Sequence, residues 1–284
     1  MPPSVSTISE LRAQHHAWRA SGLRIGFVPT MGALHAGHVS LVRLLKARMD
    51  RVTASIFVNP KQFAPHEDLE SYPRDLAGDC QKLADAGCDL IFTPERAAMY
   101  PTGFATNVLV SGVSEGLESS IRPHFFGGVA TIVTKLLLQS LPDAAAFGEK
   151  DYQQLLVVRA LVRDLDVPVA IVAGQTVREA DGLAMSSRNA YLSPKQRAIA
   201  PALYANLCRC AAQIGAGLPL APVLAEGEAA LRAAGFDAVE YLAARGAEDL
   251  AMLPGPALDR PGRLLVAVKL GETRLIDNVR IDPA

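Results

Sequence analysis

Two histidines, His35 and His38, end the stretch Gly26-Phe27-Val28-Pro29-Thr30-Met31-Gly32-Ala33-Leu34-His35-Ala36-Gly37-His38. Imidazoles three residues apart turn to one side and donate hydrogen bonds without carrying a permanent charge. Ile25 to Val28 suits a buried parallel strand, and Pro29, which has no N–H for a ladder, is expected to stop it. The apolar and basic run from Val39 to Lys46 suits a half-buried helix. Gly32 and Gly37 let a ligand approach the backbone, and the positive end of the helix favours an anion such as phosphate at the strand's carboxyl end. The alternative is a pair of histidines capping a helix on a surface loop. The chain contains no G-x-x-x-x-G-K-[ST] and no G-x-G-x-x-G after a strand, so neither a P-loop nor a dinucleotide fingerprint accounts for the stretch.

Three further groups can join it. Gly148-Glu149-Lys150-Asp151 puts a lysine at a strand-to-helix junction, where its ammonium can serve a phosphate as a mobile point charge. Asp181-Gly182-Leu183-Ala184-Met185-Ser186-Ser187-Arg188-Asn189 gathers two hydroxyls and a guanidinium in one short loop, many donors for a triphosphate. Asn59, Gln62 and Gln154 are neutral amides near strand ends, able to orient hydroxyls and carboxylates. These residues point to an ATP-using enzyme and leave its substrate open.

The elements that must position them alternate. Strands are expected at Val52 to Val58, Asp89 to Phe92, Val108 to Val110, Ala144 to Phe147 and Val167 to Ala173. Helices are expected at Ser9 to Arg19, Asp75 to Ala86 and Val129 to Leu138. That order argues for an α/β fold, a doubly wound parallel sheet occupying residues 1–175. Beyond it, helices at Pro194 to Ile214 and Leu220 to Ala234, a strand at Ala238 to Leu242, and a hairpin of Arg263 to Leu270 with Thr273 to Ile281 make a smaller α+β domain, 176–284. The run from Ala64 to Arg74, with Pro65, His66, Glu67, Asp68 and Pro73, reads as a surface loop or a lid.

Of the 284 residues, 28 are basic and 29 acidic, giving a net charge of −1, and half are hydrophobic. That balance carries no electrostatic footprint for nucleic acid or an anionic membrane. No apolar run approaches the ~20 residues of a membrane span, and the first residues lack the shape of a signal peptide, so the expected location is the cytoplasm. Cys80, Cys88, Cys208 and Cys210 have no paired metal-binding spacing and read as reduced thiols.

The sequence resembles the pantoate–β-alanine ligase family of the HxGH nucleotidyltransferase superfamily. The matching runs are Pro29 to His38, Val58-Asn59-Pro60-Lys61-Gln62-Phe63, Phe147 to Gln154, Thr176 to Asn189, and Thr273-Arg274-Leu275-Ile276-Asp277-Asn278. The resemblance implies a Rossmann-like first domain and ATP-dependent condensation of (R)-pantoate with β-alanine, with Mg²⁺ assisting, in a homodimer. It implies that His35, His38, Lys150, Ser186, Ser187 and Arg188 neutralise phosphates, with His38 as proton donor and with His35, His38, Lys150 and Arg188 as the catalytic set. ATP would also meet Met31, Gly32, Ala33, Leu34, Ala36, Gly37, Gly148, Glu149, Asp151, Val177 and Met185. Gln62 and Gln154 would hold pantoate, with Asn59 and Met31 beside the substrates; the metal ligands are not implied. The chain departs from the family pattern at Arg122-Pro123-His124-Phe125-Phe126, where Arg-Pro-Gly-His-Phe is expected, at Gln175 in place of proline, and at Ala64 in place of glycine. A nucleotidyltransferase that makes no amide, and a non-catalytic nucleotide-binding protein, are the competing readings.

Overall fold

The computed structural model describes residues 1–64, 67, 69–253 and 258–283. By its contacts the chain forms two units, Met1–Glu149 with Gln153–Gln175, and Lys150–Tyr152 with Thr176–Ala284.

The first unit is built on six parallel strands: β1 (Ser4–Val5), β2 (Ile25–Thr30), β3 (Arg51–Ile56), β4 (Leu90–Phe92), β5 (Ala144–Gly148) and β6 (Ala170–Gly174). Their order is β1-β4-β3-β2-β5-β6, and every pair is parallel. Helices α1 (Ile8–Ala20), α2 (Ala36–Lys46), α3 (Leu76–Asp85), α4 (Arg96–Met99), α5 (Glu118–Ile121), α6 (Phe125–Ser140) and α7 (Tyr152–Asp164) connect them. Alternation along β3 separates the two faces. Val52 and Ala54 pack with Val42 and Leu45 of α2. Thr53, on the other face, shares a 2.8 Å hydrogen bond with His15 of α1, whose second ring nitrogen bonds the Ser140 carbonyl of α6 at 2.8 Å. This is the doubly wound sheet expected from the alternating elements.

Two expectations for this unit are corrected. Pro29 does not stop β2, which runs on to Thr30. The Ile25 carbonyl accepts from Asp143 on the β5 side and the Thr30 carbonyl from Phe57 on the β3 side. Pro29 therefore falls in the set facing β5, where pairing ends at Phe27 with Ala145, and no ladder donor is lost. Val108-Leu109-Val110 is irregular rather than a strand. Val108 and Val110 are apolar because they pack against Phe126, Ala130, Val157 and Leu161, while Leu109 is 78% exposed.

The second unit stacks α8 (Pro194–Ile199), α9 (Ala202–Gly215) and α10 (Leu220–Ala234) with an antiparallel sheet of β7 (Ala238–Gly246), β8 (Gly262–Leu270) and β9 (Thr273–Ile281), in that order. The single helix expected over 194–214 is two, since Pro201 cannot give the N–H that would continue the first. Leu203, Leu207, Cys210 and Ile214 on one face of α9 meet Leu264, Val266, Val268 and Leu275 of the sheet. The β8–β9 connection is Gly271-Glu272, with Gly271 at φ +56°, as a tight hairpin requires.

Candidate functional site

In the first unit, β2 delivers the chain into a turn where Gly32 (φ +86°) and Ala33 (φ +50°) are both left-handed. This arrangement aims successive N–H groups the same way and makes a small anion cradle. Its occupant is part of the protein: the Asp79 carboxylate of α3 accepts from Ala33 N–H at 2.7 Å and Leu34 N–H at 2.8 Å. A Cβ on Gly32 would lie 3.1 Å from Asp79 Oδ2, so the close approach that glycine permits is to this side chain. Asp79 is 1% exposed, and sequence reasoning misses it. The available signal is a carboxylate on the same buried stripe of α3 as Leu83.

His35 then caps α2. Its Nδ1 accepts from Gly37 N–H at 3.1 Å, and His38 Nδ1 accepts from His35 N–H at 3.4 Å. A reciprocal box of this kind normally uses a hydroxyl and a carboxylate; here imidazoles fill both places. Because each Nδ1 accepts, each ring in its neutral form carries its proton on Nε2, which makes that nitrogen a donor. The ring centroids are 4.1 Å apart. Capping and ligand donation, weighed above as alternatives, are therefore compatible uses of the two nitrogens. Gly37 is required because a Cβ there would sit 2.8 Å from the His35 ring. The first turn of α2 has no acidic side chain, which keeps its positive end available to anions.

Beyond β3, Asn59 is 1% exposed and spends its amide internally. Its nitrogen donates to Gln62 Oε1 at 3.0 Å and the Gly128 carbonyl at 3.1 Å, and its oxygen accepts from Tyr100 Oη at 2.7 Å. Asn59 therefore orients Gln62. Burial pushes the Tyr100 phenol up, keeping it a donor. At α7, Gln153 is buried and holds the 113–118 loop through the Val113 carbonyl and Glu118 N–H, whereas its neighbour Gln154 is only partly buried. Arg122 forks onto both oxygens of Glu67 at 2.6 Å, donates to the Gln62 carbonyl at 3.0 Å, and lies over the Phe125 ring. Burial would raise the Glu67 carboxyl, but the Arg122 guanidinium outweighs it and holds Glu67 below the usual carboxylate range. The segment that departs from the family pattern is thus tied to the Gln62 backbone.

A cavity of about 440 Å³ opens where β2, β3 and β4 end, walled by Met31 and Gly32, Phe57 and Val58, Thr93 and Pro94, and by Leu69, Glu70, Pro73 and Arg74. Open parallel sheets bind ligands at this end. The last four residues come from the run read as a loop or lid; Pro65, His66 and Asp68 of that run lie outside the described residues.

In the second unit, Lys150 lies in a 3₁₀ turn, Glu149–Asp151, directly after Gly148 ends β5. Thr176 to Asn189 folds as a small hairpin: Met185 N–H donates to the Val177 carbonyl at 3.0 Å, and Gly182 turns the chain at φ +93°. Ser186 follows as an N-cap, its hydroxyl accepting from Arg188 N–H at 3.3 Å, and opens the 3₁₀ turn Ser187–Tyr191. Arg178 anchors the hairpin with a bidentate pair to buried Asp277, at 2.6 and 3.0 Å, and stacks on Tyr204 at 3.6 Å. Glu179 and Asp181 clamp Arg197, each at 2.6 Å. The sequence motif contains Asp277 and Asn278 but assigns them no role.

Among the described residues, no group of three or more His, Cys, Asp or Glu is placed to hold a metal ion. No helix among them is long and apolar enough to cross a membrane.

The chain is similar to known proteins along nearly its whole length. Residues 4–280 match the family described as pantoate-beta-alanine ligase. Pantothenate synthetase of Maricaulis maris is 57% identical over 281 residues, covering 99% of this chain and 97% of that one, and its counterpart from Caulobacter vibrioides is 56% identical, covering 99% of both. The crystal structure of pantothenate synthetase from Thermus thermophilus superposes with a TM-score of 0.92 at 48% identity, covering 99% of this chain and 100% of that one. Pantoate-beta-alanine ligase from Francisella tularensis, complexed with beta-gamma ATP and beta-alanine, does so with a TM-score of 0.81 at 33% identity, covering 98% and 97%. The strand-turn-helix with its paired histidines, the lysine turn and the Met185–Arg188 loop thus follow in order along a chain that belongs to the pantoate–β-alanine ligase family.

Proposed function

We propose that this protein condenses (R)-pantoate with β-alanine, cleaving ATP to AMP and pyrophosphate through a pantoyl adenylate. The observation that carries this reading is family membership over residues 4–280. The Francisella tularensis relative, complexed with beta-gamma ATP and beta-alanine, supports ATP and β-alanine as ligands.

A carboxylate is a poor electrophile, so a pantoate oxygen first attacks the α-phosphorus and pyrophosphate leaves. Catalysis of such a transfer is chiefly positioning and charge neutralisation. Nε2–H of His35 and of His38 donates to phosphate oxygens, with His38 as the proton donor, and Lys150, Ser186, Ser187 and Arg188 supply the remaining donors. Main-chain groups near Gly148 and Val177 hold the nucleotide. Gln62, oriented by Asn59, and Gln154 hold pantoate. β-Alanine then attacks the acyl carbon as its neutral amine, and AMP leaves with one of the original carboxylate oxygens; exclusion of water protects the mixed anhydride.

Mg²⁺ brought on the triphosphate would offset phosphate charge there. We take the protein to be cytoplasmic and a homodimer; light scattering of the purified protein tests the dimer.

With pantoate labelled by ¹⁸O in its carboxylate, AMP should gain one heavy oxygen per turnover. Amide formation with unlabelled AMP would refute the adenylate, and nucleotidyl transfer without amide would favour a transferase.

A further inference from the structure

The lysine turn follows β5 in sequence, yet Lys150–Tyr152 belongs by its contacts to the second unit. Three interactions hold it there. Asn278 Nδ2 donates to the Lys150 carbonyl at 2.9 Å, Tyr152 Oη donates to the Ala247 carbonyl at 2.8 Å, and the Arg263 guanidinium lies 4.0 Å from the Tyr152 ring centroid. Asn278 is itself fixed, since its Oδ1 accepts from Arg263 Nε at 2.7 Å, and it is 4% exposed. The preceding residue, Asp277, holds Arg178 and with it the hairpin that leads into Met185–Arg188.

We infer that Asn278 is a positioning residue for Lys150, and that β9 sets the origin of the lysine's side chain through this single amide. Lysine carries its charge on a flexible four-carbon stem, so the ammonium can be aimed only if its backbone is fixed. A buried amide with one donor on the lysine's carbonyl and its acceptor locked by a guanidinium does this without touching the ammonium. An error of about 1 Å in placing such a group costs on the order of 10²-fold in rate. The inference rests on the proposed role of Lys150 at the phosphates, and the two fail separately in the following experiment.

Asn278→Asp keeps the side chain's shape and the Arg263 contact and removes the donor to Lys150. Asn278→Ser, uncharged and too short to span the gap, serves if the first variant does not fold. Pyrophosphate release in a single turnover is compared in the wild type, Lys150→Ala, the Asn278 variant and the double variant. The expected result is a roughly 10- to 100-fold loss from the Asn278 change alone and less than about 2-fold further loss when Lys150 is already alanine. Equal losses in both backgrounds, or no loss in the first, would overturn the positioning role. An undiminished rate in Lys150→Ala alone would instead overturn the lysine's assignment to the phosphates.

Discussion

Replacing Asp79 by asparagine tests whether the turn before His35 is held by a carboxylate. The side chain is 1% exposed and accepts two adjacent amides, at 2.7 and 2.8 Å, with Lys82 Nζ 3.5 Å away. Asparagine keeps one acceptor but aims an NH₂ at the other amide, where two donors then face each other. Losing one hydrogen bond to a charged group costs about 1.5–3 kcal/mol, and leaving a buried amide unpaired about 1–3 kcal/mol. The two overlap, and relief from burying a charge offsets part of them, so the net expectation is ~2–4 kcal/mol. That is a large share of the ~5–15 kcal/mol typical of a folded protein without exceeding it. The turn also carries Ala33 at φ +50°, a conformation that costs a non-glycine residue about 1–2 kcal/mol and persists only while something enforces it. Urea unfolding should therefore show the loss, and pyrophosphate release should slow because His35 and His38 follow directly. A change below ~0.5 kcal/mol, the scatter of an ordinary surface substitution, with an unaltered rate would refute the claim that Asp79 enforces the turn.

Other consequences follow from the same geometry. Gly37→Ala places a methyl 2.8 Å from the His35 ring, which must swing off its cap; about 0.5–2 kcal/mol should be lost in urea unfolding, and adenylation should fall with it. Arg178→Met leaves Asp277 buried without its guanidinium, and unfolding measurements should show a loss of about 3–5 kcal/mol. Burial holds the His15 imidazole below its ordinary value of 6.5, so the unfolded chain binds the extra proton first. Its stabilising contribution is complete above about pH 6.5 and shrinks below it, by at most ~1.4 kcal/mol per pH unit. His15→Gln should flatten that part of the stability profile; an unchanged acid slope would contradict it.

The strand-turn-helix around His35 is legible because its signals are local: an apolar run, a glycine, Gly32, where the backbone must turn left-handed, and a periodic helix. The Gly271-Glu272 hairpin is legible for the same reason. Interactions across long sequence separations are not. Asp79 meets Ala33 from 46 residues away, and Asn278 meets Lys150 from 128, and no spacing rule connects them. Asn59 stands out in the sequence, but a single amide does not reveal that Tyr100 and Gly128 are its partners. The apolar triplet at Val108 misleads because burial against α6 imitates a strand's composition, and Pro29 misleads because its effect depends on which neighbour its missing N–H faces.

The central claim, an amide-forming ligase that works through an acyl adenylate, is tested most directly by following AMP and pyrophosphate from ATP·Mg²⁺ with pantoate alone, with β-alanine alone, and with both. The account predicts sustained, equimolar AMP and pyrophosphate only when both are present. Folded protein that binds ATP yet yields no AMP in any of the three mixtures would contradict it.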